Sequence, residues 1–469
     1  SSSTTHHANP YATPVLRHRS SSDVHRTTAF FSTGPAAAAR SSTSFAASAN
    51  TGLLQDVQTL LLVAIRATSA YLSRAYKGTS ASDRDRDRHA SPAAPVDPLS
   101  SLDMRAVPQL VREAGYPFDE ISFATSDSCV LPLHRLPRPA ARRVVLFQHG
   151  IFDSAFAWVA PGSARGLAYR AFDLGFDVFL GNFRGNPLTK GHNRPGYWDF
   201  CVDEHGQEDL AGMVDTLVQT KRDEGVDPDN LHITLVAHSM GGAAAMIYVA
   251  TRANHRIDRL VLLAPAGFQG TAPFVCRLLG PVISAALRVY DFGVICIWPP
   301  VLRLALTKLL EDIRQSSLAR SLFVSLVATV LGGPVQEHPF GAIHNLAFMM
   351  FQAATSTKCF KQFWQWHRSG LFTSWSGDVN YAESYGNIGD GVDVHLIAGA
   401  QDKLIPPAMV VEHYKALVRA RRGKTARAHF AVLENMGHVE LTLAMTQEAY
   451  SSVLSRITGQ GTEPCDFAL

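Results

Sequence analysis

The sequence predicts an α/β fold: a mostly parallel central sheet flanked by helices, interrupted by an inserted helical cap. Three observations predict it. Apolar runs of strand length recur between residues 104 and 460. Helix-length stretches separate them, so consecutive strands run parallel and need cover on both faces. The stretch Gln269 to Asn387 is too long for a loop and reads as mainly helical. In such a sheet, functional residues gather beyond the carboxyl ends of the strands.

The elements follow in order. Glu120–Thr125 and Cys129–Leu136 read as two strands joined by the turn residues Ser126, Asp127 and Ser128. Val144–Phe147 is an apolar run ending at Gln148-His149-Gly150, and Asp177–Leu180 is another ending at Gly181-Asn182. His232–Val236, Leu260–Leu263, Val394–Ile397 and His429–Leu433 continue the series. Helices are expected over Ser163–Leu174, Asp209–Glu224 and Gly241–Ala253. The body thus divides into a first core part (104–268), a helical cap (269–387) and a second core part (388–460), followed by a tail (461–469).

The residues before the body differ in kind. Positions 1–50 are rich in Ser, Thr, Ala and His, hold Arg17, Arg19, Arg26 and Arg40, and contain Asp23 as their one acid. That composition matches either an organellar targeting leader or a segment too polar to bury a core. Residues 51–77 place Leu54, Val57, Leu61, Ala64, Ile65 and Leu72 on one helical face, for packing on the body or for gripping a membrane surface or protein partner. Residues 78–103 hold the run Asp83-Arg84-Asp85-Arg86-Asp87-Arg88 and then Ala and Pro, a linker.

Composition excludes several functions. Forty-three Lys and Arg against 40 Asp and Glu leave a net charge of +3 over 469 residues, so nucleic acid is not an expected partner. The six cysteines (129, 201, 276, 296, 359 and 465) form no Cys-x-x-Cys pair, which argues against structural zinc or a dithiol centre. No Asn-x-Ser/Thr sequon occurs, which favours a mitochondrial or other organellar setting over a secreted or lysosomal one. No stretch has the roughly 20 predominantly apolar residues of a membrane span. Neither metal nor cofactor is expected.

The chemistry is carried by Val236-Ala237-His238-Ser239-Met240-Gly241-Gly242, between a strand and a helix. Small-x-Ser-x-Gly in that setting is a nucleophile elbow, whose tight turn needs small residues two before and two after the Ser. Ser239 then needs a base, and the base an orienting acid, in the order Ser, Asp, His. Asp402, after the fifth core run, and His438, after the sixth, satisfy it. Glu434 and Glu440 compete for the acid role but lie too near His438 in sequence to rise from a separate strand. Backbone N–H groups of Ile151, in the loop after the first core run, and of Met240, after the nucleophile, are the candidate oxyanion donors. His149 reads as a packing residue of that loop.

These motifs, with further stretches, resemble the gastric and lysosomal acid lipases of the α/β-hydrolase superfamily. The stretches are Ala114-Gly115-Tyr116-Pro117, Leu131-Pro132-Leu133-His134-Arg135, His149–Ser154 with Trp158, Asp177–Asn186, Tyr197-Trp198-Asp199-Phe200, Asp203-Glu204, Asp209-Leu210 and Phe363–Trp375. The resemblance spans about residues 105–457. It implies the α/β-hydrolase fold, Ser239 as nucleophile, Asp402 as acid, His438 as base, and an oxyanion hole from Ile151 and Met240. Ala237 stands where the family has Gly and Met240 where it has Gln, and Cys276 and Cys296 are not at its disulfide spacing.

The expected function is therefore a serine carboxylester hydrolase acting on lipid esters through an acyl-serine intermediate, at a membrane or lipid-droplet surface. The apolar cap residues Val282, Ile283, Leu287, Val294, Ile295, Ile297, Trp298, Val301, Leu302, Leu304 and Leu306 fit an acyl-chain tunnel. Burial worth about 0.8 kcal/mol per methylene would favour long chains. The alternatives are a lipid acyltransferase, or a lipase-fold subunit of an organellar membrane assembly engaging its partner through the leader.

Overall fold

The structure, a computed structural model, describes residues 107–186, 195–270, 281, 293–295, 309, 313, 316–333, 353–421 and 427–459. The leader, the 51–77 segment, the linker, the 461–469 tail and most of the cap, with every tunnel residue except Val294 and Ile295, lie outside the described residues.

Eight strands form one sheet: β1 (Asp119–Ala124), β2 (Val130–Leu136), β3 (Arg143–Gln148), β4 (Asp177–Gly181), β5 (His232–His238), β6 (Arg259–Leu263), β9 (Asp393–Gly399) and β10 (Ala428–Leu433). Their order is β1-β2-β4-β3-β5-β6-β9-β10. β1–β2 and β2–β4 pair antiparallel, and all other neighbours are parallel. Each apolar run read from the sequence is a strand of this sheet, longer by one to three residues. The central strands carry almost nothing but branched and aromatic residues because both of their faces are buried. Val144, Val145, Leu146 and Phe147 of β3 are fully buried.

The chain steps from β3 to β4 on one side and returns to β5 on the other, which is a topological switch point. The loops after β3 and β5 diverge there and open a crevice above their carboxyl ends. The helix Met240–Thr251 follows β5 and is buried on nearly every side. Its glycines and alanines let it lie close to neighbouring backbone; a Cβ on Gly242 would stand 2.7 Å from Cβ of Pro265.

Two helices differ from expectation. Only Leu167–Asp173 of the 163–174 segment is helical, because Gly166 lies against Tyr169 and the Trp158 carbonyl and begins the helix there. The regular helix Ala211–Asp223 is preceded by a π-helical turn, His205–Leu210. The extra residue turns Asp209 inward, where it is fully buried against Arg184. Within the cap, beside the helices Ser317–Leu331 and Thr357–Ser369, lies an unforeseen two-stranded ribbon, β7 (Val294–Ile295) paired antiparallel with β8 (Thr355–Ser356). Among the described residues, no helix is long and apolar enough to cross a membrane.

Candidate active site

Ser239 occupies the turn between β5 and the helix Met240–Thr251, with φ 56° and ψ −120°. A non-glycine residue in that region costs about 1–3 kcal/mol and persists only where its surroundings hold it. The hold is backbone: Ser239 N–H donates to the Leu263 carbonyl at 3.0 Å, and the Ser239 carbonyl accepts from Ala266 N–H at 3.0 Å. A Cβ on Gly150 would stand 3.0 Å from Cβ of Ser239, so the loop after β3 lies directly against the turn. A Cβ on Gly241 would run into the His149 carbonyl oxygen. Gly241→Ala should therefore push the loop off the turn. The expected result is a stability loss of about 1–3 kcal/mol with at least a hundredfold fall in ester turnover, read by thermal melting and by kinetics.

Three side chains distant in sequence converge on this turn. His438 Nε2 lies 2.9 Å from Ser239 Oγ, and His438 Nδ1 lies 2.7 Å from Asp402 Oδ2. The other Asp402 oxygen accepts from the Leu404 and Ile405 N–H groups at 2.8 and 2.7 Å, which fixes the carboxylate. All three residues are buried. With Nδ1–H donated to Asp402, Nε2 is left as an acceptor facing the Ser239 hydroxyl. Met240 opens the helix, where the first four N–H groups have no acceptor within the helix. Ile151 follows Gly150 in the turn against Ser239.

His238, beside the nucleophile, is part of the site although the sequence reading gave it no role. Its Nε2–H donates to the His438 carbonyl at 3.0 Å and its ring lies 4.6 Å from that of His438. Burial first, then the neighbouring His438, holds its pKa well below the ordinary histidine value, so the imidazole is neutral. It ties the end of β5 to the loop carrying His438. The signal was present in the sequence as a polar residue directly after the apolar run Leu235-Val236-Ala237.

The loop after β3 rests on the residues that follow β4. His149 Nδ1–H donates to the Gly150 carbonyl at 2.7 Å and Nε2 accepts from Phe183 N–H at 3.1 Å. Burial brings His149 down to a pKa of about 4, which keeps it the neutral tautomer this arrangement needs. Asn182 Oδ1 accepts from Ala155 N–H at 3.0 Å. Phe183 stacks on His205, which contacts Asp209, which in turn holds Arg184. The Asp177–Asn186 stretch is thus the buttress of the loop, and His149 packs as expected.

The cap meets the site along a backbone seam. Lys403 N–H donates to the Leu331 carbonyl at 3.2 Å, Gly333 N–H donates to the Gln401 carbonyl at 3.1 Å, and Gly332 bridges to Asp402. Glu440 lies buried against Gly333 and Gly437, away from the position Asp402 takes beside His438. Glu434 lies in the turn after β10 and is exposed. Cys201 and Cys359 are buried free thiols. Among the described residues, one group could hold a metal: Asp393, His395 and His429. It lies at the opposite ends of β9 and β10 from Asp402 and His438, about 20 Å of strand away.

The chain matches two family descriptions: "alpha/beta hydrolase fold" over residues 143–286 and "Partial alpha/beta-hydrolase lipase region" over residues 107–162. Among curated proteins it is similar to Lipase 3 of Drosophila melanogaster, 33% identical over 37% of this chain and 46% of that protein. A tear acid lipase-like protein of Mesocricetus auratus is 31% identical over 39% of this chain and 48% of its own length. Gastric triacylglycerol lipase of Mus musculus is 30% identical over 36% and 44%. The chain spans slightly less than half the length of these relatives. Among solved structures, an esterase from a Rhodococcus species aligns with TM-score 0.43 and 15% identity, covering 73% of this chain and 99% of that one. The two family matches and the lipase relatives bear out the resemblance read from the sequence: the chain has the α/β-hydrolase fold and is similar, over part of their length, to lipases of the gastric type.

Proposed function

We propose that this protein is a serine hydrolase of lipid carboxylesters. The observation that carries the reading is His438, poised 2.9 Å from Ser239 Oγ and 2.7 Å from Asp402. Ser239 attacks the ester carbonyl as His438 Nε2 takes its proton. Asp402 holds the tautomer and stabilises the imidazolium. The Ile151 and Met240 N–H groups receive the developing oxyanion, each worth about 3 kcal/mol in such sites. His438 then protonates the leaving alcohol, and water, deprotonated by the same imidazole, cleaves the acyl-Ser239 ester.

Lipid substrates are supported by the lipase relatives and by a surface feature. Leu318, Leu322 and Leu326 form an i, i+4, i+8 stripe on the helix Ser317–Leu331 and are 61–70% exposed. An apolar stripe on the helix whose last residue meets the Asp402 loop suits a lipid surface. The reading also favours work near neutral pH, where the buried histidines of the core stay uncharged.

The test is labelling by a serine-directed fluorophosphonate, followed by a panel of triacylglycerol, sterol ester and phospholipid with and without added alcohol. Stoichiometric labelling with release of fatty acid is expected. Acyl transfer to the alcohol in preference to water would replace hydrolase with transferase. A folded chain that neither labels nor turns over any ester overturns the proposal.

A further inference from the structure

At the end of the sheet remote from Ser239, β9 begins Asp393-Val394-His395 and β10 begins Ala428-His429. Side chains alternate along a strand, so Asp393 and His395 share one face of β9. His429 is paired with His395 in register across the parallel ladder. The two imidazoles stack with centroids 4.6 Å apart and planes 12° apart. Both present Nε2 to one carboxylate: His395 lies 3.2 Å from Asp393 Oδ2 and His429 lies 3.3 Å from Oδ1.

Two further features point to a ligand. Asp393 Oδ1 is buried and makes no hydrogen bond, although His429 Nε2 is near; the contact lacks hydrogen-bond direction. Taking one ligand atom from each residue, all three lie within 4.8 Å of one another, within a small side-chain adjustment of the edges of about 3.3 Å that zinc bonds of about 2.0–2.1 Å set in a tetrahedral site. Arg259 approaches only Oδ2, through Nε at 3.2 Å and Nη2 at 3.1 Å. That contact orients the carboxylate, as partners of ligating carboxylates do. His395 is fully buried, whereas His429 is partly exposed on the edge strand and gives an entry path.

We propose that Asp393, His395 and His429 form a site for one divalent cation of zinc-like character, with water completing a four-coordinate shell. The ligand set of two imidazoles and one carboxylate suits zinc and cobalt better than calcium or magnesium. Closing the imidazoles onto an ion would staple β9 to β10, the two strands whose far ends lead to Asp402 and His438. The site is structural and independent of the ester chemistry.

The full chain, stripped with chelator and dialysed at pH 7.5, is titrated with cobalt(II) and then zinc(II). One equivalent of cobalt should give the intense visible bands of a four-coordinate ion, which zinc abolishes, and zinc should raise the melting midpoint. His429→Ala, on the partly exposed edge, should weaken binding at least tenfold while melting normally without metal, and Asp393→Asn should also weaken binding at least tenfold. His6→Ala with His7→Ala should leave the spectrum unchanged. Absence of the bands in the parent chain, or equal binding by folded His429→Ala, overturns the proposal.

Discussion

Ser239→Ala should leave a folded protein that has lost its ester turnover by about a millionfold in kcat and its labelling by a fluorophosphonate. The effect should be large because Ser239 Oγ forms the bond and is the hydroxyl that His438 Nε2 faces, 2.9 Å away. The fold should survive because the turn is fixed by the backbone bonds to Leu263 and Ala266, neither of which involves the hydroxyl. Alanine also keeps the Cβ that packs against Gly150. Near-ultraviolet circular dichroism and thermal melting should superimpose on those of the parent. Residual labelling in the variant would place the nucleophile elsewhere.

Acidification should unfold the molecule well above the pH at which carboxylates alone would. Burial lowers His134, His149, His255 and His413 to pKa values of about 4, and holds His238 well below the ordinary histidine value. In the unfolded chain each titrates near 6.5. Between those limits the unfolded state binds more protons, so the stabilisation is complete above about pH 6.5 and is lost as pH falls toward 4. The fully buried pair His149 and His413 alone account for roughly 3 kcal/mol each at full loss. Domain stabilities are about 5–15 kcal/mol. Asp153 and Asp203, whose carboxyls burial raises, oppose this but are fewer. The melting midpoint should fall on the order of 10 °C between pH 7 and 4.5. A midpoint that holds or rises over that range would refute the assignment of these histidines as neutral and would restore an acidic setting.

The sheet was legible in the sequence because each central strand is a short run of branched and aromatic residues, a pattern that survives without any knowledge of neighbours. The placement of Ser239, Asp402 and His438 was legible for a related reason: each stands just past such a run, and parallel strands deliver their carboxyl ends to one side. The π-helical turn before Ala211 was not legible, because a single extra residue leaves the apolar periodicity of the following helix intact. The part played by His238 depends on the main-chain carbonyl of a residue 200 positions away, which no local pattern records. The Asp393–His395–His429 group was hidden likewise: its alternation along β9 is visible, but its third member enters only through strand register.

The seam between Leu331–Gly333 and Gln401–Lys403 has a mechanical consequence. A Cβ on Gly437 would overlap Gly333, and one on Gly333 would overlap the Glu440 carboxylate, so main chain meets main chain there with no padding. The helix bearing the exposed leucines is therefore hung on the same post as the carboxylate that steadies His438. A swing of that helix at this edge would wrench Asp402 out of line.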